Sequence, residues 1–193
     1  MLKVALIVGS TRPNRFADRV VDWFMEEAGQ RTDMAIEIVD LRDQGLVMFD
    51  EATPPAAAGG AYSHPAAKAW CEKIAGFDAY VVTSAEYNHG PTAVLKNALD
   101  SALIEWARKP IGFLGYGGVG AARAIEQLRQ IAIELQMAPI RAEVNIAMEP
   151  YLGVLTQGKS LGDYPYLGTG RTAVLEQILW WGNALKAARE ATA

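Results

Sequence analysis

Two arginines three positions apart, Arg12 and Arg15, stand beside Gly9, Ser10 and Thr11, where an unbroken apolar run over residues 4–8 ends. A permissive glycine, two hydroxyl donors and planar cations ahead of a helix are the groups that bind a phosphate. Gly, Ser and Thr also serve as ordinary turn and cap residues, so alone they decide little. The arginines carry the argument, because a helix dipole disfavours cations at its N-terminus unless an anion lies between them. The loop is not a Walker loop, since no Gly-Lys-Ser/Thr follows the run, and no G-x-G-x-x-G follows it either. GYGGVG at residues 115–120 has the dinucleotide spacing, but it follows the fourth predicted strand and lacks the acidic residue expected about 20 positions on.

A second group of candidates is Glu86, Tyr87, Asn88 and His89, an aromatic among hydrogen-bonding side chains after another apolar run. Such a set suits a planar heterocycle, although Asn, Gly and Pro also make plain polar turns. A third is Tyr116, Gly117 and Gly118, whose backbone N–H groups at a helix start can supply a positive field. Metal chemistry is not expected, because His64, His89 and Cys71 have no ligand spacing. The same scarcity argues against histidine or cysteine catalysis.

The elements that must position these loops alternate. Strands are predicted near residues 4–8, 36–41, 78–83, 110–115 and 139–142, the last with room to extend to 146. Helices fall near 16–28, 65–75 with Ser63 as cap, around 95–100, from 120 to 135, and 172–188. Residues 42–60 and 149–170 read as irregular connections, either of which could be a lid. Five alternations imply α/β architecture, a parallel sheet with helices on both faces, in which ligands lie beyond the carboxyl ends of the strands. All three candidate loops lie at that edge. The last helix carries Val174, Leu175, Ile178, Leu179, Trp180, Trp181 and Leu185, a face wider than one sheet contact needs.

The 193 residues, 51% hydrophobic, fit one domain over 1–193. A net charge of −4, from 18 basic and 22 acidic residues, gives no reason to expect nucleic acid as partner. No apolar run reaches membrane-spanning length and no signal peptide is read, so the expectation is a cytoplasmic protein with no membrane partner. Cys71 is read as a buried structural thiol.

Three stretches in order, GSTRPNR at 9–15, AEYNHGPTAVLKNALD at 85–100 and GYGGVGAARAIEQLR at 115–129, resemble the NAD(P)H-dependent FMN reductases, a family that includes quinone, chromate and azo-dye reductases. The resemblance covers nearly the whole chain. It implies a flavodoxin-like three-layer sandwich with strand order 2-1-3-4-5, FMN as cofactor and NADPH or NADH as co-substrate. It places the phosphate on Ser10, Arg12, Asn14, Arg15, Phe16 and Ala17, the ring against Glu86, Tyr87, Asn88 and His89, and the ring's far edge near Tyr116, Gly117 and Gly118. It also implies a small-molecule acceptor such as a flavin or quinone, and a homodimer or homotetramer. The sequence departs from the family pattern at Ala85, where proline is usual, and at Arg15 with Phe16, where many members have serine. The departure at Arg15 shifts the expected phosphate contacts toward backbone N–H groups and that guanidinium. The alternative reading is a flavodoxin-type electron carrier, marked by a more acidic surface and a loop without arginine. Arg42, Arg108 and Lys109 are candidates for a 2′-phosphate if they reach the cleft.

Overall fold

The computed structural model describes residues 1–192. Five parallel strands, β1 (Leu2–Val8), β2 (Met34–Asp40), β3 (Ala79–Ala85), β4 (Pro110–Tyr116) and β5 (Ala138–Ile146), form one sheet in the order 2-1-3-4-5. The helices are α1 (Ala17–Ala28), the short α2 (Pro55–Ala58), α3 (Pro65–Ala75), α4 (Ala93–Asp100), α5 (Ala122–Glu134), α6 (Met148–Thr156) and α7 (Pro165–Glu190).

Why the central strands have no polar face follows from their neighbours. Along β1, Val4, Leu6 and Val8 point into one core with α1 and α7, while Ala5 and Ile7 point into a second core with α3, α4 and α5. On the α1 side, Val20 and Phe24 share one core with Val174 and Ile178. On the other, Trp70, Tyr80 and Trp106 interlock, with ring centroids 5.9 Å apart for Trp70 and Trp106 and 4.7 Å for Tyr80 and Trp106. Truncating a buried tryptophan of this kind to alanine costs about 3–5 kcal/mol.

Two stretches depart from the sequence expectation. Residues 149–170 are not irregular: they hold α6, a 3-10 turn and the first turns of α7. Proline and glycine concealed the helices, yet Pro150 sits in the first turn of α6 and Pro165 opens α7, where a missing N–H costs nothing. Gly153 is there because a Cβ would meet the Tyr164 hydroxyl. Ser63 does not cap α3. Its hydroxyl goes to Glu51, and His64 holds the cap position without a side-chain bond.

The terminal strand β5 is closed by side chains. Gln177 of α7 accepts from the Ala142 N–H at 2.8 Å, and Arg129 of α5 donates to the carbonyls of Ile140 and Arg141. Trp180 and Trp181 lie outside this packing, 65% and 40% exposed, one ring edge-on to the other.

Candidate active site

The first loop begins where β1 presses against β3. A Cβ on Gly9 would lie 2.2 Å from the Thr83 carbonyl, so only glycine fits. Its N–H donates to the Thr83 hydroxyl at 3.1 Å, and its carbonyl accepts from Thr92, which also caps α4. Neither threonine was singled out in the sequence, since Thr83 acts from strand β3 and Thr92 from the start of α4. Asn14 then turns the chain with φ 51°, a left-handed position asparagine tolerates. Phe16 enters α1, whose N-terminus has no side-chain cap. Ala17 is fully buried.

The two arginines of the loop part ways. Arg15 is buried, and its guanidinium is committed to both Asp40 oxygens, to Asp18 at 2.7 Å and to the Ser10 carbonyl. Donating to Asp40, and then to Asp18, raises its pKa against the pull of burial. That leaves at most one of its five N–H groups for the phosphate contact expected of Arg15. Asp40 can do this because parallel pairing sets it beside Val8, at the mouth of the loop. Arg12, by contrast, is exposed and pairs with no carboxylate among the described residues, and its pKa is raised chiefly by the Tyr87 hydroxyl. Arg42 donates to the Arg12 carbonyl and so steadies this loop.

The second loop is a tight hairpin. Tyr87 and Gly90 exchange both backbone bonds, at 2.9 and 3.0 Å, around Asn88 and His89, which are left-handed with φ 52° and 71°. Glu86 does not stand free. Its carboxylate accepts from the Arg123 backbone N–H at 3.2 Å and from the Arg123 guanidinium at 2.6 Å. Burial raises its pKa, but the Arg123 contacts and nearby N–H groups of α5 bring it below the usual carboxylate range.

The third loop follows β4. Tyr116 is 5% exposed and packs on Phe16 at 5.4 Å, with a buried hydroxyl that has no hydrogen-bond partner. Burial lifts its pKa to about 12, and nearby Ser10, which does not bond it, opposes the shift. Gly117 has φ 130° with open space where a Cβ would stand. Gly118 faces Met148 of α6.

These loops enclose a cleft of about 300 Å³ at the carboxyl edge of the sheet. Ser10, Arg12, Asn14, Arg15 and Phe16 line one side; Glu86, Tyr87, Tyr116 and Gly117 line the other. Ala17, Asn88, His89 and Gly118 are not in its walls: Ala17 belongs to the core, and Asn88 and His89 form the hairpin tip. Tyr151 and Leu155 of α6 complete the wall, with Tyr151 4.6 Å from Phe16. Sequence reading missed both, though an aromatic and a leucine four apart after the last strand were the available signal. Arg108 and Lys109 precede β4 and lie at the opposite edge, so they do not reach the cleft. A wider, shallow hollow of about 780 Å³ lies by β5 among Arg129, Arg141 and Trp181, but Arg129 there is spent on β5 carbonyls and Glu143.

An orphaned hydroxyl, an unpaired guanidinium and an uncapped helix start on one cleft fit a flat ligand that carries a phosphate. The sequence matches the NADPH-dependent FMN reductase family over residues 2–150. The chain belongs to that family. It is 37% identical over 139 residues to the NAD(P)H-dependent FMN reductase C4B3.06c of Schizosaccharomyces pombe, covering 71% of this chain and 70% of that one. It is 32% identical over 142 residues to an NAD(P)H:quinone oxidoreductase of Solanum tuberosum, covering 71% and 70%. Its fold matches the flavoenzyme NAD(P)H:(acceptor) oxidoreductase FerB of Paracoccus denitrificans at a TM-score of 0.72, with 20% identity over 92% of this chain and 97% of that one. This FMN reductase relative is thus an FMN-dependent NAD(P)H oxidoreductase of flavodoxin-like fold. No similarity supports the electron-carrier alternative.

Proposed function

We propose that Ser10, Arg12, Asn14 and the uncapped start of α1 hold the FMN phosphate, and that Tyr87, Tyr116 and Gly117 flank its ring. The observation that carries this is Arg12, a cation without a carboxylate partner on the same cleft as a helix N-terminus with no side-chain cap. A phosphate there meets a charge-assisted contact and the dipole together. Arg15 supports the loop from behind. Bound FMN supplies the hydride chemistry, so the protein needs no acid or base of its own. Tyr116, with its hydroxyl unsatisfied and its pKa raised, stays neutral and offers a donor into the cleft. The open space at Gly117 lets a planar group lie against backbone.

The acceptor in this reading is a small aromatic molecule, a quinone or a free flavin. The quinone and flavin reductase activities of the relatives agree with that, and so do the cleft walls, where Leu155 of α6 and Tyr87 are exposed apolar groups. The exposed Trp180 and Trp181 support a homodimer or homotetramer formed through α7, with the described chain acting as one domain. A cytoplasmic location fits a lone, free and buried Cys71; among the described residues no helix is long and apolar enough to cross a membrane.

The test is anaerobic. Purified protein should be yellow, should bleach on NADPH or NADH, and should regain colour with a benzoquinone, with parallel double-reciprocal lines in steady state. Colour without bleaching would return the carrier reading, and a protein that takes up no flavin would remove this one.

A further inference from the structure

Two tyrosines that stand outside the phosphate loop end beside it. Phe16, at the cap position of α1, is flanked by Tyr116 of β4 and Tyr151 of α6, with ring centroids 5.4 and 4.6 Å away, and all three line the cleft with Ser10 and Arg12. Tyr116 ends β4, two strands from β1, and its ring reaches Phe16 past Ala85, its register neighbour on β3, whose side chain stops at Cβ. Its hydroxyl is buried with no partner, a state that folded proteins rarely keep unless something else completes the bond. The polar groups that feel these tyrosines belong to the first loop. Burial raises the Tyr116 pKa and Ser10 opposes the rise, and Arg12 is raised first by Tyr87 and further by Tyr151 and Tyr116. The loop itself is short of donors for a phosphate, which carries three strong acceptor oxygens. Of its two hydroxyls only Ser10 lines the cleft, and Arg15 keeps at most one N–H to spare.

We propose that Tyr116 and Tyr151 are specificity-determining residues of the cleft: their hydroxyls donate to the FMN phosphate together with Ser10 and Arg12, and so select the phosphorylated flavin over riboflavin. The proposal rests on the flavin reading of the cleft. It gives Tyr116 two parts, a backbone that borders the ring and a side chain that turns back to the phosphate. A phenol suits this place because, held neutral, it offers a donor and brings no charge to repel the anion. Tyr151 lies past residue 150, where the match to the reductase family ends, so its share of the grip belongs to this chain and not to the matched motif.

Tyr116→Phe and Tyr151→Phe keep the ring contacts with Phe16 and remove only the hydroxyls. FMN and riboflavin are titrated by fluorescence quenching against the flavin-free full-length protein at pH 7.5, and the ratio of the two affinities is the readout, because ring contacts cancel in it. That ratio should fall at least about fivefold in Tyr116→Phe, about twofold in the half-buried Tyr151→Phe and about tenfold in the double variant, since a hydrogen bond to a charged group is roughly twice as strong as a neutral one. Without flavin, Tyr116→Phe should melt no lower than wild type, because the hydroxyl it removes has no partner in the chain. A merely structural hydroxyl would lower the melt and leave the ratio alone, and either result overturns the proposal for Tyr116. An unchanged ratio in Tyr151→Phe overturns it for Tyr151. Equal weakening of both flavins leaves the ratio unchanged and moves the hydroxyls to the ring or its sugar chain. A wild type that binds both flavins alike would strike the phosphate assignment of the first loop, and one that binds neither would strike the cofactor reading.

Discussion

The two ends of the sheet carry similar residues and use them in opposite ways. At the amino end, Asp78 accepts from the Lys3 backbone N–H, Lys186 and Arg189, at 2.9 to 3.1 Å. Beside it Lys109 donates to two carbonyls of α3 and to the Tyr80 hydroxyl, and burial, then the Arg189 charge, push its pKa down to about 8. Asp78, Lys109, Lys186 and Arg189 are thus all answered within the chain. At the carboxyl end, Arg12 has no carboxylate, the Tyr116 hydroxyl has no partner and no side chain caps α1. Buried polar groups in folded proteins are nearly always satisfied, so the open Tyr116 hydroxyl, on the same cleft as an exposed cation and an uncapped helix start, marks an end shaped for something else to bind.

Arg15 is the residue that tests this contrast hardest, because it sits at the open end but is wired like the closed one. Removing one partner of a buried pair leaves the other charge uncompensated, at a cost of about 3 kcal/mol. Arg15→Ala should therefore lower the apoprotein melting temperature by about 6 to 12 °C, a shift that a thermal melt reads directly. A variant that melts like wild type but binds FMN poorly would move Arg15 to the ligand.

Arg12→Ala should do the reverse. Loss of a charge-assisted phosphate contact should weaken FMN about tenfold or more, leave riboflavin nearly unchanged and leave the melt alone. Titrating both flavins against the variant decides it, since ring contacts are common to the two. Equal weakening of both would withdraw the phosphate from this loop.

Asp78→Asn should have the smallest effect and sharpen the comparison from the closed end. Burial raises the Asp78 pKa, but Lys186, the Lys3 N–H and the Arg189 charge outweigh it and leave a net lowering. A carboxylate with a depressed folded pKa stabilises fully above its unfolded value, near 3.9, and loses that stabilisation as pH falls through the folded value. The variant should lose about 1 kcal/mol at pH 7, and the difference from wild type should shrink in denaturant melts below about pH 4. FMN affinity should not move; if it did, the ends would not be independent.

What could be read from sequence followed what was local. The buried strands β1, β3 and β4 announce themselves as unbroken apolar runs because helices cover both faces, and the three loops follow from where those runs stop. The Arg15 partnership was hidden because Asp40 is 25 residues away and becomes a neighbour only through strand pairing. Tyr151 and Leu155 were hidden by Pro150 and Gly153, residues that usually break a helix and here sit where one tolerates or requires them. The division of roles between two nearby arginines is therefore a tertiary property, not a motif.

The closure of β5 also constrains how copies of this chain can associate. With the Ala142 N–H and the carbonyls of Ile140 and Arg141 already engaged, the middle of β5 cannot offer these groups to an incoming strand. A partner approaching there meets side chains first, since Gln177, Arg141 and Trp181 surround the same shallow hollow.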